Sequence, residues 1–310
     1  MPKKKIIFLV GPTASGKSAT AVILAKKINA QIISCDSMQV YKHMDIVTAK
    51  ITKNEMQGVK HHLIDIIEPN QEYNVAKFRE KVIKLIQKIH KEEDIPLLVG
   101  GSGMYMQILL DGIFDDNKIS FEVREKLNNE ADEKGLEILY RRLVKLDPKA
   151  SKVIHLNDRR RIIRALEVYY TLNEPITNAQ KKRQGIWTEY NVYLYGFQIE
   201  RKLLYEKINE RVDEMFKKGL IEEIRNLSEK YTLSKSALGA LGCKELFNYF
   251  KDVHDLVEAK RLIKRNTRRY AKKQMTWFNK ENRIKWINVS SSDTAEKKAE
   301  KIYKDVKSKL

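Results

Sequence analysis

The sequence predicts an α/β protein in which a core of parallel strands is interrupted by an all-helical insertion. Two observations carry that prediction. Between Ile6 and Gly103, short unbroken apolar runs alternate with helix-patterned stretches, as buried parallel strands and their crossovers do. From Ser120 to about Asn173 the patterning is helical alone, and a strand-like run then returns the chain to the sheet. The core is expected over 1–114 and 190–310, and the helical insertion over 115–189.

The first run, Ile6–Val10, leads into Gly11, Pro12, Thr13, Ala14, Ser15, Gly16, Lys17 and Ser18, and then into Ala19–Ala25, which has helix-forming composition. The spacing G-x-x-x-x-G-K-[ST] between a strand and a helix start marks a P-loop, so the core is P-loop NTPase-like. Gly11 and Gly16 allow the backbone to curl until successive amides face one anion, and the helix dipole adds to them. Lys17 supplies a point charge for terminal phosphate oxygens, and the Ser18 hydroxyl is placed to ligate Mg²⁺. A di- or triphosphate is bound here. The motif alone leaves open which one, and what is done to it.

Gln31–Cys35 reads as a second buried strand ending at Asp36-Ser37, on the side of the sheet where open α/β folds hold ligands. Asp36 is a candidate general base or a residue behind the metal, and capping a helix start is the alternative. His61-His62 precede a strand-like run, Leu63–Ile67, that stops at Glu68-Pro69. A His pair with no third ligand at metal spacing reads as structural. Phe78–His90 repeats at helical spacing, and Pro96–Val99 is a further core strand. Gly100-Gly101-Ser102-Gly103 follows it as a second glycine turn, suited either to close approach of a substrate or to a plain tight bend. No acidic residue follows Val99, which argues against ATP hydrolysis as the main activity.

Composition changes at Phe114-Asp-Asp-Asn117. In the insertion, helical stretches are broken by a turn at Asp147-Pro148 and a stop near Glu174-Pro175. On a helix, Arg160 and Arg164 share a face bordered by Arg161, while Ile162, Ile163 and Leu166 can point inward. Tyr190–Phe197 is the returning strand. An amphipathic helix through Leu204, Ile208, Val212 and Met215 ends at Gly219 and sets Arg211 near the core. Lys260–Lys273 holds eight basic residues and no acidic one. That density suits a phosphate backbone better than a solvated face.

Sixty Lys and Arg against 41 Asp and Glu, a formal charge of +19, point the same way, to a polyanionic partner. Cys35 and Cys243 lack metal spacing and are expected as reduced thiols in a cytoplasmic protein. The apolar run after Lys3-Lys4-Lys5 is five residues long, too short for a secretion signal, and no segment is long enough to span a bilayer.

Several blocks together resemble the bacterial tRNA dimethylallyltransferase family (tRNA isopentenyltransferases). They are Gly11–Ser18, Asp36-Ser-Met-Gln-Val-Tyr41, Asp45–Lys50, His61–Asp65, Gly100–Tyr105, Asn157–Glu167 and Thr267–Phe278, in the family's order over nearly the whole chain. The resemblance implies dimethylallyl diphosphate as donor. It implies as acceptor the adenosine 3′-adjacent to the anticodon in tRNAs reading codons that begin with U. It also implies tRNA contacts at Ser102, at Arg124, and in the block holding Arg160, Arg161, Ile162, Ile163 and Arg164. No obligate protein partner is evident, and a monomer is expected. The chain departs from the family at Val47 (usually Gly), Ser102 (commonly Thr), Cys243 (commonly Tyr) and 114–117, which lacks the usual proline-containing loop.

Prenyl transfer to an RNA base unites the cradle, the carboxylate and the basic surface. An exocyclic adenine amine is a poor nucleophile, so attack on an allylic carbon needs proton removal and a stabilised leaving group. Asp36 is the expected base. Thr13 is placed to help anchor the diphosphate or the base, and Ser37, Met38 and Gln39 are placed to line the pocket of the unstacked adenine, Asp36 with them. A small-molecule kinase would use the same cradle but need no basic helix. A relative that prenylates free AMP would leave that helix without a purpose. A non-catalytic RNA-binding protein would survive loss of Asp36.

Overall fold

The computed structural model describes residues 3–113 and 121–309. The composition break at 114–117 lies outside them. Among the described residues, β1 (Lys5–Val10), β2 (Ala30–Ser34), β3 (His61–His62), β4 (Ile95–Gly100), β5 (Asn191–Ile199) and β6 (Lys285–Val289) form one parallel sheet. Its order is β3-β2-β4-β1-β5-β6. β1 lies inside the sheet, with Ile7 in register with Leu97 on one side and Tyr193 on the other. Ile6, Ile7, Phe8 and Leu9 have no accessible surface, the reason this strand reads as an unbroken apolar run. The chain leaves β1 for β2, returns to β4, and crosses β1 to reach β5. The carboxyl ends of β1 and β4 therefore border a switch point, where such sheets hold ligands.

The helix Lys17–Ile28 buries Ala21, Val22, Leu24 and Ala25 against this sheet. Ile302 and Val306 of the final helix, Ala295–Lys307, enter the same cluster. The helices Val75–Lys91, Arg201–Lys217 and Leu256–Phe278 occupy the expected stretches. The Arg201–Lys217 helix buries Leu204, Ile208 and Val212, and Gly219 beyond it takes φ 94°.

One expected strand is absent. Leu63–Ile67 does not join the sheet: pairing with β2 stops at His62, and Leu63 and Asp65 take φ of 63° and 54°. The amides of Asp65 and Ile66 donate instead to the carbonyls of Gln39 (3.2 Å) and Val40 (2.8 Å), so a neighbouring loop takes the bonds a ladder would have used. The structure adds elements to those expected, among them β6 and the helices Gly103–Asp111, Leu220–Lys230, Cys243–Phe250 and Ala295–Lys307. Lys285 and Asn288 are exposed while Ile287 and Val289 are buried, so this edge strand carries little apolar signal.

The chain divides into two compact units, Met1–Gln107 with Glu189–Leu310, and Ile108–Thr188. The second is helical. Phe121–Lys134, Leu136–Leu146 and Arg159–Leu172 close around Leu127, Leu139, Leu143, Ile162 and Leu166. Asp147 organises its turn by accepting the Ala150 amide at 2.9 Å and the Thr177 hydroxyl at 2.9 Å. No helix among the described residues is long and apolar enough to cross a membrane.

Candidate active site

The loop after β1 curls through left-handed backbone at Gly11 (φ 147°), Ala14 (62°) and Gly16 (85°). Gly16 is the residue before the helix start, where that φ favours glycine. Such a curl aims successive amides at one anion. Within it the Ser15 hydroxyl donates to the Pro12 carbonyl at 2.8 Å. Lys17 Nζ donates to the same carbonyl at 2.6 Å and to Ser15 Oγ at 3.4 Å. Both acceptors are neutral. Burial, and then the nearby Arg211 charge, lower the Lys17 ammonium to about 7, with Asp36 pulling the other way. An anion arriving in the loop restores what burial took from this amine. Ser18 is exposed on the helix's first turn.

Two helices from late in the chain hold Thr13. Arg211 Nη1 donates to Thr13 Oγ1 at 3.1 Å. The Gln274 amide accepts the Thr13 N–H at 2.9 Å and donates to the Gly101 carbonyl at 2.9 Å, tying the P-loop to the second glycine turn. At Gly100, the first residue of that glycine run and the last of β4, a Cβ would overlap the Cys35 carbonyl. The ends of β2 and β4 thus close on each other beside Asp36, and an acidic side chain at Gly100 has no room.

Asp36 follows Cys35, whose amide donates to the Val99 carbonyl at 2.7 Å. Asp36 Oδ1 accepts the Met38 amide at 2.8 Å, so the capping role exists, but in a turn: the next helix begins only at Lys53. Burial pushes the Asp36 carboxyl above its ordinary range, opposed more weakly by the Met38 and Gln39 amides and by the charges of Lys17 and Arg211. Asp36 as a residue is half-buried. Tyr270 lies within reach of the Asp36 charge. Burial and the charge of Asp36 push its phenol up to about 12, against weaker bonds with Ser102 and Gln274. A carboxylate of reduced acidity thus faces two cations and a neutral phenol. Burial makes this carboxyl a weaker acid and, once ionised, a stronger proton acceptor than an exposed aspartate.

Ser37, Met38 and Gln39 adjoin Asp36, each half-buried, and Gln39 Oε1 accepts the Ser34 hydroxyl at 3.0 Å. Ser102 lies beside Tyr270 through the phenol bond just given. The His pair is structural: His61 Nδ1 is 2.8 Å from the Val59 carbonyl and His62 Nε2 is 2.8 Å from Gln31 Oε1. Val47 has a buried side chain, and its amide donates to Glu223 at 2.8 Å, alongside those of Asp45 and Ile46. The left-handed positions of this loop fall at His43 (φ 62°) and Ala49 (φ 48°), so a valine at 47 costs the backbone nothing.

The tRNA candidates in the helical unit separate into three groups. Ile162 and Ile163 are buried in its core, 0% and 5% exposed, a correction to the expected side-chain contact: the helix turns them inward with Leu166. Arg124 and Arg164 both bind Glu167, a carboxylate with 2% side-chain exposure, at 2.9 and 3.0 Å. Arg160 and Arg161 are exposed, Arg161 resting 3.4 Å from Asp158. On the basic helix, Lys260 and Lys264 pair with Asp213, Arg261 with Glu258, and Arg268 with Asn209, whereas Arg269, Lys272 and Lys273 face solvent.

Sequence reasoning leaves Gln274, Tyr270 and Arg211 off the site. The spacing sets Arg211 near the core, but nothing in it points to Thr13. Among the described residues no cluster of three His, Cys, Asp or Glu can hold a metal. The residues do fit Mg²⁺ bound in the way it usually binds phosphates, through ligand oxygens and water with one protein hydroxyl, here Ser18.

A family model described as IPP transferase matches residues 39–281. A tRNA dimethylallyltransferase of Carboxydothermus hydrogenoformans is 48% identical over 301 residues, 96% of each chain. A tRNA isopentenylpyrophosphate transferase of Bacillus halodurans, known from its crystal structure, is 40% identical with a TM-score of 0.75, over 99% of this chain and 97% of that one. A eukaryotic dimethylallyltransferase solved acting on tRNA gives a TM-score of 0.85 at 26% identity, over 98% of this chain and 79% of that one.

Proposed function

The chain belongs to the IPP transferase family, and we propose that it transfers the dimethylallyl group of dimethylallyl diphosphate to N6 of the adenosine 3′-adjacent to the anticodon in tRNAs reading U-starting codons. One observation carries the reading: Asp36, its acidity reduced by burial, shares one electrostatic site with Lys17 and Arg211 at the P-loop. Diphosphate leaves into the loop amides, met by Lys17 and by Arg211, which also holds the Thr13 hydroxyl. The allylic C–O bond breaks with its electron pair on the diphosphate, the C–N bond forms, and the N6 proton passes to the Asp36 carboxylate. Ser18 would be this chain's ligand to Mg²⁺, which would supply charge neutralisation for the departing diphosphate. Tyr270 and Ser102, with Ser37, Met38 and Gln39, border the place the adenine must reach. Its unstacking costs on the order of a few kcal/mol, which RNA contacts at Arg160, Arg161 and the open lysines of the basic helix offset. We place the enzyme in the cytoplasm as a monomer.

Nucleoside analysis of tRNA incubated with the protein, dimethylallyl diphosphate and Mg²⁺ tests this. One added prenyl unit on adenosine is the expected product. Prenylation of free AMP in preference to tRNA would refute the acceptor.

A further inference from the structure

Lys298 lies in the final helix, beyond the residues matched by the family model, and nothing in the mechanism above uses it. It is 8% exposed, yet among the described residues its ammonium bonds to a carbonyl and not to a carboxylate. Nζ sits 3.5 Å from the Ser15 carbonyl and 5.6 Å from the centre of the Phe197 ring, and a Cβ on Gly16 would stand 2.5 Å from it. Burial and the charge of Lys207 disfavour its protonation, with Asp293 and Glu296 countering. A cation is thus kept against the outer side of the P-loop, in contact with a carbonyl and an aromatic face.

We propose that Lys298 is a positioning residue for the diphosphate cradle, acting through the Ser15–Gly16 peptide. This rests on the reading of the loop as a diphosphate site. A trans peptide is planar, so its C=O and N–H point in opposite directions. Drawing the Ser15 carbonyl towards Lys298 turns the Gly16 N–H to the opposite side, into the curl, and polarises it as a donor. The final helix is carried to this spot by Ala299, Ile302 and Val306, which pack in the cluster that holds the Lys17–Ile28 helix.

The test is titration calorimetry with inorganic diphosphate and Mg²⁺ on wild type, Lys298→Met and Ile302→Ala, the last loosening the same helix while keeping the charge. Steady-state KM for tRNA is read on the same proteins. Lys298→Met is expected to weaken diphosphate about tenfold, the scale of one hydrogen bond to a charged group, with KM for tRNA unchanged, while Ile302→Ala lowers melting temperature without that loss. Equal weakening in both variants, or diphosphate bound by Lys298→Met as tightly as by wild type, overturns the proposal. Should Lys298→Met not fold, Lys298→Gln carries the same expectation and the same refutation. Absence of diphosphate binding in wild type would instead sink the reading of the loop itself.

Discussion

Cations at the P-loop and in the core of the helical unit keep different company. In the helical unit, Arg124 and Arg164 are spent on one buried carboxylate, Glu167, and Arg159 on Asp132. At the P-loop, Lys17 rests on a carbonyl and a hydroxyl, and Lys298 on a carbonyl. A cation matched by a buried carboxylate holds structure together. One left on neutral oxygens in a buried place has gained little for its desolvation, and an anionic ligand supplies the difference. Arginine clusters in a sequence look alike in both settings, and only the partners separate them.

The contrast can be broken by mutation. Lys17→Met should cost about 10²–10³-fold in kcat/KM for dimethylallyl diphosphate, as removal of a charge-stabilising donor does, with melting temperature unchanged or raised. Arg124→Met combined with Arg164→Met should do the opposite. It strands Glu167 and should destabilise the helical unit by roughly 3–5 kcal/mol in urea unfolding. A double variant as stable as wild type would show that the pairing is incidental.

The pH dependence sharpens the same point. Lys17 titrates at about 7 when the loop is free, and bound diphosphate raises it. Affinity for diphosphate should therefore be full below that pH and fall as pH rises through it, by up to about tenfold per unit. Asp36 must be ionised to accept a proton, so the acid limb of kcat/KM should rise with pH through its elevated pKa. Calorimetry from about pH 6 to about pH 9, spanning the Lys17 titration, reads the first limb. The smallest effect is expected on the basic helix. Neutralising Lys272 and Lys273 should flatten the dependence of log K for tRNA on log salt by about 0.7 for each phosphate they neutralise. Neutralising Lys260 or Lys264, both paired with Asp213, should leave the slope unchanged.

Much of the site is legible where chemistry is local in sequence. The P-loop spacing, the strand before it and Asp36 at the end of β2 are contiguous signals, and the structure brings them to one place. Gln274 and Tyr270 are not legible as site residues, because they reach Gly101, Thr13 and Ser102 from a helix far along the chain, inside a run whose sequence signal is its charge. Leu63–Ile67 misleads because its apolar residues serve a loop whose amides bond to Gln39 and Val40, and β6 escapes notice because an edge strand shows one buried face. Ile162 and Ile163 are readable from periodicity as inward-facing, and family matching alone sets them against RNA.

The central claim is that the loop holds the diphosphate and Asp36 takes the proton. Single-turnover prenylation of tRNA by Asp36→Asn, measured beside calorimetric binding of diphosphate, tests it most directly. Binding close to wild type, with transfer slowed about 10²–10⁴-fold, is the predicted result. Transfer at the wild-type rate, or loss of binding in step with transfer, would contradict it.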